Sequence, residues 1–84
     1  MDRRYRVLVN QTVDLLDIDN KSCQEIIDAF EGVVTSVFED GVRNWGRFAV
    51  IEYFAALITE RARSVDKIRL TVAFDRQIAL ERQK

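Results

Sequence analysis

The sequence predicts an all-α fold, a small bundle of about four helices around a central hydrophobic helix. The 84 residues contain three glycines and no proline, which is too little turn-forming sequence for an all-β chain. Apolar residues recur at three- and four-residue steps, which marks one face of a helix. One stretch, residues 45–58, is apolar on almost every side, and a helix of that kind needs neighbours all around it.

Two amphipathic helices are expected in the first half of the chain. The first runs from about Arg3 to Leu16 and is followed by a polar connection over residues 17–21. In the second, Ser22 and Glu25 form a capping box, and Gly41 is placed to end the helix. The apolar stripes are Tyr5, Leu8, Val9, Val13 and Leu16 in the first helix, and Ile26, Ile27, Phe30, Val33, Val34, Val37 and Phe38 in the second.

Two further helices are expected in the second half. Asn44 is a good N-cap for the apolar third helix, which becomes polar over residues 60–63. Ser64 is the expected cap of the fourth helix, with Asp66 in its first turn. The register of that helix stays open, because two adjacent stripes compete: Val65, Ile68, Val72 and Ala79 form one, and Leu70, Phe74 and Ile78 form the other.

Composition indicates one domain over residues 1–84 and excludes several functions. The isoelectric point near 5.4 gives no reason to expect a nucleic-acid partner. Residues 1–42 carry nine acids against four bases, and residues 43–84 carry nine bases against five acids. Either these halves face each other or solvent, or the basic half meets an acidic partner or an anionic surface.

The sequence also limits where the protein is expected to act and which chemistry it is expected to perform. The N-terminus lacks a signal-peptide pattern, and no apolar run reaches the roughly 20 residues that cross a membrane, so we expect a cytoplasmic protein without a transmembrane anchor. The single Cys23 fits a reducing compartment and an inert role. With no histidine and no carboxylate cluster beyond Glu39-Asp40, the sequence predicts a non-enzyme without metal or other cofactor.

The connection between the second and third helices reads Phe38-Glu39-Asp40-Gly41-Val42-Arg43-Asn44-Trp45-Gly46-Arg47-Phe48. It resembles the first homology region of the Bcl-2 family of apoptosis regulators, whose hallmark is Asp-Gly followed by Asn-Trp-Gly-Arg. Two residues separate Gly41 from Asn44, a spacing found in some pro-survival members. The resemblance covers about residues 15–63 and implies the core of the Bcl-2 fold.

The resemblance also implies a function. Pro-survival members bind an amphipathic death-motif helix, the Bcl-2 homology 3 segment of pro-apoptotic proteins, in a hydrophobic groove. Arg47 would pair with the aspartate of that ligand, and Gly46 would let the ligand backbone approach. Asn44 and Asp40 would supply the polar edge of the groove, and Trp45 would be core. The expected floor is Val34, Val37, Phe38, Val50 and Phe54.

The chain departs from the family in length. Family members are about twice as long, and this sequence lacks matches to their first helix and to their second homology region. The third helix would therefore lack some of its neighbours, and we expect the chain to form a homo-oligomer such as a dimer, either of intact chains or with helices exchanged between subunits. Recruitment to the mitochondrial outer membrane would occur through partners.

Two other functions remain open. The chain could be a self-associating helical scaffold without ligand binding. Alternatively, its third and fourth helices, which resemble the central hairpin of the family, could act on a membrane, with the basic half contacting anionic lipid.

Overall fold

Four α-helices form the fold in a computed structural model, which describes residues 2–84. They are α1 (Arg3–Leu15), α2 (Cys23–Val37), α3 (Trp45–Arg61) and α4 (Lys67–Arg82), and short 3₁₀ turns occupy Ile18–Asn20 and Ser64–Asp66. Residues 2–84 contain no β-strand. The prediction of a small all-α bundle is confirmed.

Helix α1 packs chiefly on α3 and buries only a narrow strip. The Asp2 carboxylate caps it by accepting the Arg4 N–H at 3.0 Å. Val9 and Val13 are buried, but Tyr5 and Leu8 of the predicted stripe are exposed. That part of the prediction is wrong, because one partner helix covers less of α1 than the apolar pattern requires.

Helix α2 begins at the predicted capping box. The Glu25 N–H donates to Ser22 Oγ at 3.2 Å, and the Ser22 N–H donates to Glu25 Oε1 at 3.0 Å. This hydrogen bond lowers the pKa of Glu25. The helix ends at Val37, four residues before the predicted stop at Gly41. Gly41 has φ +79° and closes the following turn, a conformation that favours glycine.

Helix α3 contacts all three other helices, as expected of a central helix. Its burial is one-sided, however, and the expectation of neighbours on every side is wrong. Phe48, Ile51 and Ile58 face the core, whereas Ala49 and Ala56 are exposed. The outer side of α3 tolerates water because alanine exposes little apolar surface there.

Helix α4 begins at Lys67, and the residues expected to start it form a 3₁₀ turn, so Ser64 does not cap the helix. The structure also settles the register. Leu70, Phe74 and Ile78 are buried against α2 and α3, and the alternative stripe lies in solvent. The core centres on the tilted pair Phe30–Phe74, whose ring centroids are 4.2 Å apart.

Candidate functional site

The connection between α2 and α3 is held by hydrogen bonds from its own side chains. Asn44 caps α3 as predicted, because its Oδ1 accepts the Arg47 N–H at 3.0 Å. Asp40 Oδ1 accepts the Val42 N–H at 3.0 Å. These bonds place Asp40 and Arg47 on the same side of the loop.

Arg47 ties the end of α2, the loop and the start of α3 together. Its Nη1 and Nη2 donate to the two carboxylate oxygens of Asp40, at 2.5 Å and 2.9 Å. Nη1 also lies 3.1 Å from the Val37 carbonyl and 3.2 Å from the Val42 carbonyl. The bidentate geometry is the one in which arginine holds carboxylates most firmly.

The pairing of Asp40 with Arg47 shifts the pKa of both side chains. The hydrogen bonds from Arg47, and then from the Val42 N–H, lower the pKa of Asp40 from 3.8 to about 2. The same pairing raises the pKa of Arg47. Asp40 therefore stays ionised at any physiological pH.

A cleft of about 700 Å³ opens beside this pair. It runs between the first turn of α1, the end of α2 and the first turns of α3, and its walls are mostly apolar. Its lining residues are Asp2, Tyr5, Val37, Asn44, Trp45, Gly46, Arg47, Ala49 and Val50.

The structure brings some of the predicted site residues to this cleft and not others. Val37, Asn44, Gly46, Arg47 and Val50 line it, and Asp40 adjoins it through its bonds to Arg47. The remaining predicted floor residues do not line the cleft, because their side chains lie in the hydrophobic core: Val34, Phe38 and Phe54.

Trp45 is not a core residue, and the prediction that it would be is wrong. It is 85% exposed and stands at the rim of the cleft. Trp45 is the first residue of α3, and Asp2 and Tyr5 at the start of α1 line the same cleft. The N-cap at Asn44 is the sequence signal for this terminal position.

Gly46 leaves open space above the first turn of α3. A Cβ at this position would meet only Asn44 Oδ1, at 3.4 Å, among atoms outside the helix backbone. The folded chain itself therefore does not require a glycine here. The opening is available to a ligand backbone that approaches closely.

Glu81 supports the site, although the sequence patterns described above do not single it out. Glu81 is a buried charged residue, 5% exposed. Its Oε2 accepts hydrogen bonds from Arg43 Nη2 at 2.9 Å and Nε at 3.2 Å, and its Oε1 accepts one from Lys84 Nζ at 3.0 Å. Arg43 Nη1 also donates to the Gly41 carbonyl at 3.0 Å, so α4 braces the loop that carries Asp40, the partner of Arg47.

Burial alone would raise the pKa of Glu81, but the hydrogen bonds from Lys84 and Arg43 outweigh it and lower the pKa. The sequence does carry a signal for this residue. Glu81 continues the buried stripe Leu70, Phe74, Ile78 at a helical step, where a glutamate needs a buried partner.

Residues 2–84 contain neither a metal-ligand cluster nor a membrane-spanning helix. No group of three or more His, Cys, Asp and Glu side chains could hold a metal ion. Every described helix falls short of the length and apolar character that crossing a membrane demands.

The cleft thus combines an arginine fork, apolar walls and an open backbone approach. This is the chemistry suited to an amphipathic helix that carries a carboxylate. No protein-family model matches this chain, and no solved structure matches it.

Proposed function

We propose that this chain regulates apoptosis by binding an amphipathic death-motif helix in the cleft around Arg47. The observation that carries the proposal is the convergence of Arg47, Gly46 and Asn44 with apolar walls on one cleft. Helix-in-groove recognition needs these parts: apolar contacts for affinity and one charged contact that fixes the register. The resemblance of residues 38–48 to the first homology region of the Bcl-2 family supports the same assignment.

In this account, the apolar side chains of the ligand pack on Val37, Val50 and Trp45. The ligand aspartate pairs with Arg47. Because Asp40 holds both terminal nitrogens of Arg47 in the free chain, the ligand displaces Asp40 from part of the fork. The exchange is feasible in an open site, since the side chains of Arg47 and Asp40 are 32% and 52% exposed.

Trp45 gives a direct test of where the ligand binds. It is the only tryptophan, and it stands exposed at the rim of the cleft. Titration with a tryptophan-free death-motif peptide should shift its fluorescence to shorter wavelength with a saturating curve. A peptide of the same composition, with its apolar face scrambled, is the control and should leave the spectrum unchanged.

Two outcomes count against the proposal. If calorimetry shows binding while Trp45 emission stays constant, the ligand sits elsewhere on the chain. If neither method detects binding, the scaffold function is favoured. Under the proposal, the chain works in the cytoplasm and reaches the mitochondrial outer membrane through its pro-apoptotic partners.

A further inference from the structure

The outer face of α4, together with the 3₁₀ turn before it, leaves a large apolar surface in water. Val65 of the turn and Ile68 and Val72 of α4 are 85%, 80% and 62% exposed, which is unusual for three residues of one stripe. Arg69 and Arg76 stand among them on the same face. Within residues 2–84, neither arginine lies within ion-pair distance of a carboxylate.

The neighbouring outer face of α2 has the opposite character. Glu25, Asp28 and Glu31 are exposed on it, and α2 contains no basic residue. Gly32 lies among these acids in the middle of the helix, and a Cβ placed there would touch nothing within 4 Å. An interior glycine costs a helix roughly 0.5–1 kcal/mol relative to alanine, and nothing in the folded chain requires it.

The two faces adjoin along a cleft of about 540 Å³. Ile27 of α2 and Val72 and Leu80 of α4 line it, and Arg69 Nη2 donates to Gln24 Oε1 across it at 2.9 Å. This cleft shares no lining residue with the one around Arg47. A partner on this face would therefore leave the proposed ligand site open.

We propose that a second copy of this chain covers these faces, forming a two-fold dimer in which α4 of each copy lies on α2 of the other. A two-fold axis along the cleft brings the arginines of α4 in each copy opposite the acids of α2 in the other copy. The same contact therefore forms twice in the dimer. Gly32, which carries no side chain, then leaves room for α4 of the partner copy. The arrangement needs no exchange of helices.

The α2 acids favour a second copy over a lipid surface. An anionic bilayer would attract Arg69 and Arg76 but would be repelled by Glu25, Asp28 and Glu31 beside them. A partner copy matches both signs of charge at once. The inference stands independently of death-motif binding.

Paired charge reversal tests the arrangement by sedimentation at micromolar concentration. Wild type should sediment as a dimer. The variants Arg69→Glu/Arg76→Glu and Asp28→Lys/Glu31→Lys should each be folded monomers by circular dichroism and sedimentation. Mixed together, they should form a heterodimer, because both of its contacts are again of opposite charge.

A wild-type chain that sediments as a monomer, a reversed variant that still dimerises alone, or a mixture that stays monomeric would each overturn the proposal. The control Asp19→Lys/Glu60→Lys changes exposed acids outside both faces and should remain dimeric. Gly32→Leu, which adds a side chain at the close approach, should raise the dimer dissociation constant roughly tenfold while retaining helix content.

Discussion

At the residue level, the bonds that Arg47 makes within the chain and the bond proposed to a ligand would use the same N–H donors. In the free chain it holds Asp40 and the carbonyls of Val37 and Val42, which fixes the loop between α2 and α3. In the proposed complex it holds a ligand carboxylate. Guanidinium suits both tasks because it carries five N–H donors in a planar fork and stays charged.

The acid stability of the fold should depend on Asp40. Its pKa is lowered from 3.8 to about 2, so its contribution is complete above about pH 4 and is lost as the pH falls through 2. Asp40→Asn should therefore flatten the dependence of unfolding free energy on pH between 4 and 2, measured by urea denaturation. Glu39→Gln, which spares the bond to Arg47, should keep the wild-type slope, and an equally steep Asp40→Asn profile would refute the assignment.

Asp40 should also limit the affinity for a ligand. Asp40→Asn removes the competing charge but keeps an oxygen that can accept a hydrogen bond from Arg47. We expect death-motif peptides to bind this variant several-fold more tightly, because an exposed ion pair such as Asp40–Arg47 offers only modest competition. Fluorescence titration on Trp45 measures the change. Weaker binding would mean that Asp40 orients Arg47 for the ligand rather than competing with it.

At the scale of elements, two glycines predict opposite effects of alanine. Gly41 has φ +79°, where a side chain is strained, and Gly32 is exposed inside α2 with open space around it. In dilute solution, Gly41→Ala should lower the unfolding free energy by about 1 kcal/mol, and Gly32→Ala should raise it by roughly 0.5–1 kcal/mol. Chemical denaturation checks both, and equal signs would contradict the assigned conformations.

The ion pair between Glu81 of α4 and Arg43 in the loop between α2 and α3 gives a further prediction. Glu81→Gln leaves Arg43 and Lys84 without their carboxylate at a buried site, so the unfolding free energy should fall by roughly 1–3 kcal/mol. The matched control is Glu52→Gln, which removes the carboxylate of the exposed pair with Arg82 on α3 and α4. That change should cost less than about 1 kcal/mol. Similar losses in the two variants would show that Glu81 is no brace.

At the scale of the whole molecule, helix periodicity predicted the bundle because each local signal agreed with the fold. The capping box at Ser22 and the cap at Asn44 lie where the pattern put them. The register of α4 could not be predicted, since both of its stripes are apolar and only packing against α2 and α3 selects Phe74 over Val72. Burial of a helix end is likewise a tertiary property, so the apolar pattern alone does not reveal that Trp45 is exposed.

The candidate site was predictable in part. The motif pointed to Arg47, Asn44 and Gly46, which line one cleft, but the partner of Arg47 within the chain and the brace from Glu81 depend on contacts between separate segments. The acidic first half and the basic second half of the chain partly neutralise each other in the fold. Asp14 pairs with Arg61, and Asp40 pairs with Arg47. Glu25, Asp28 and Glu31 on α2 and Arg69 and Arg76 on α4 are among the charges that form no ion pair within residues 2–84.

A double-mutant cycle tests whether Arg47 pairs with the ligand aspartate. Arg47→Ala in the chain is combined with aspartate-to-alanine in a death-motif peptide, and binding is measured for all four pairs. We expect a coupling energy of roughly 2 kcal/mol or more between the two charges. Arg61→Ala, which removes an arginine outside the cleft, should show no coupling to the same peptide change. Strictly additive effects of Arg47→Ala and the peptide substitution would contradict the proposed function.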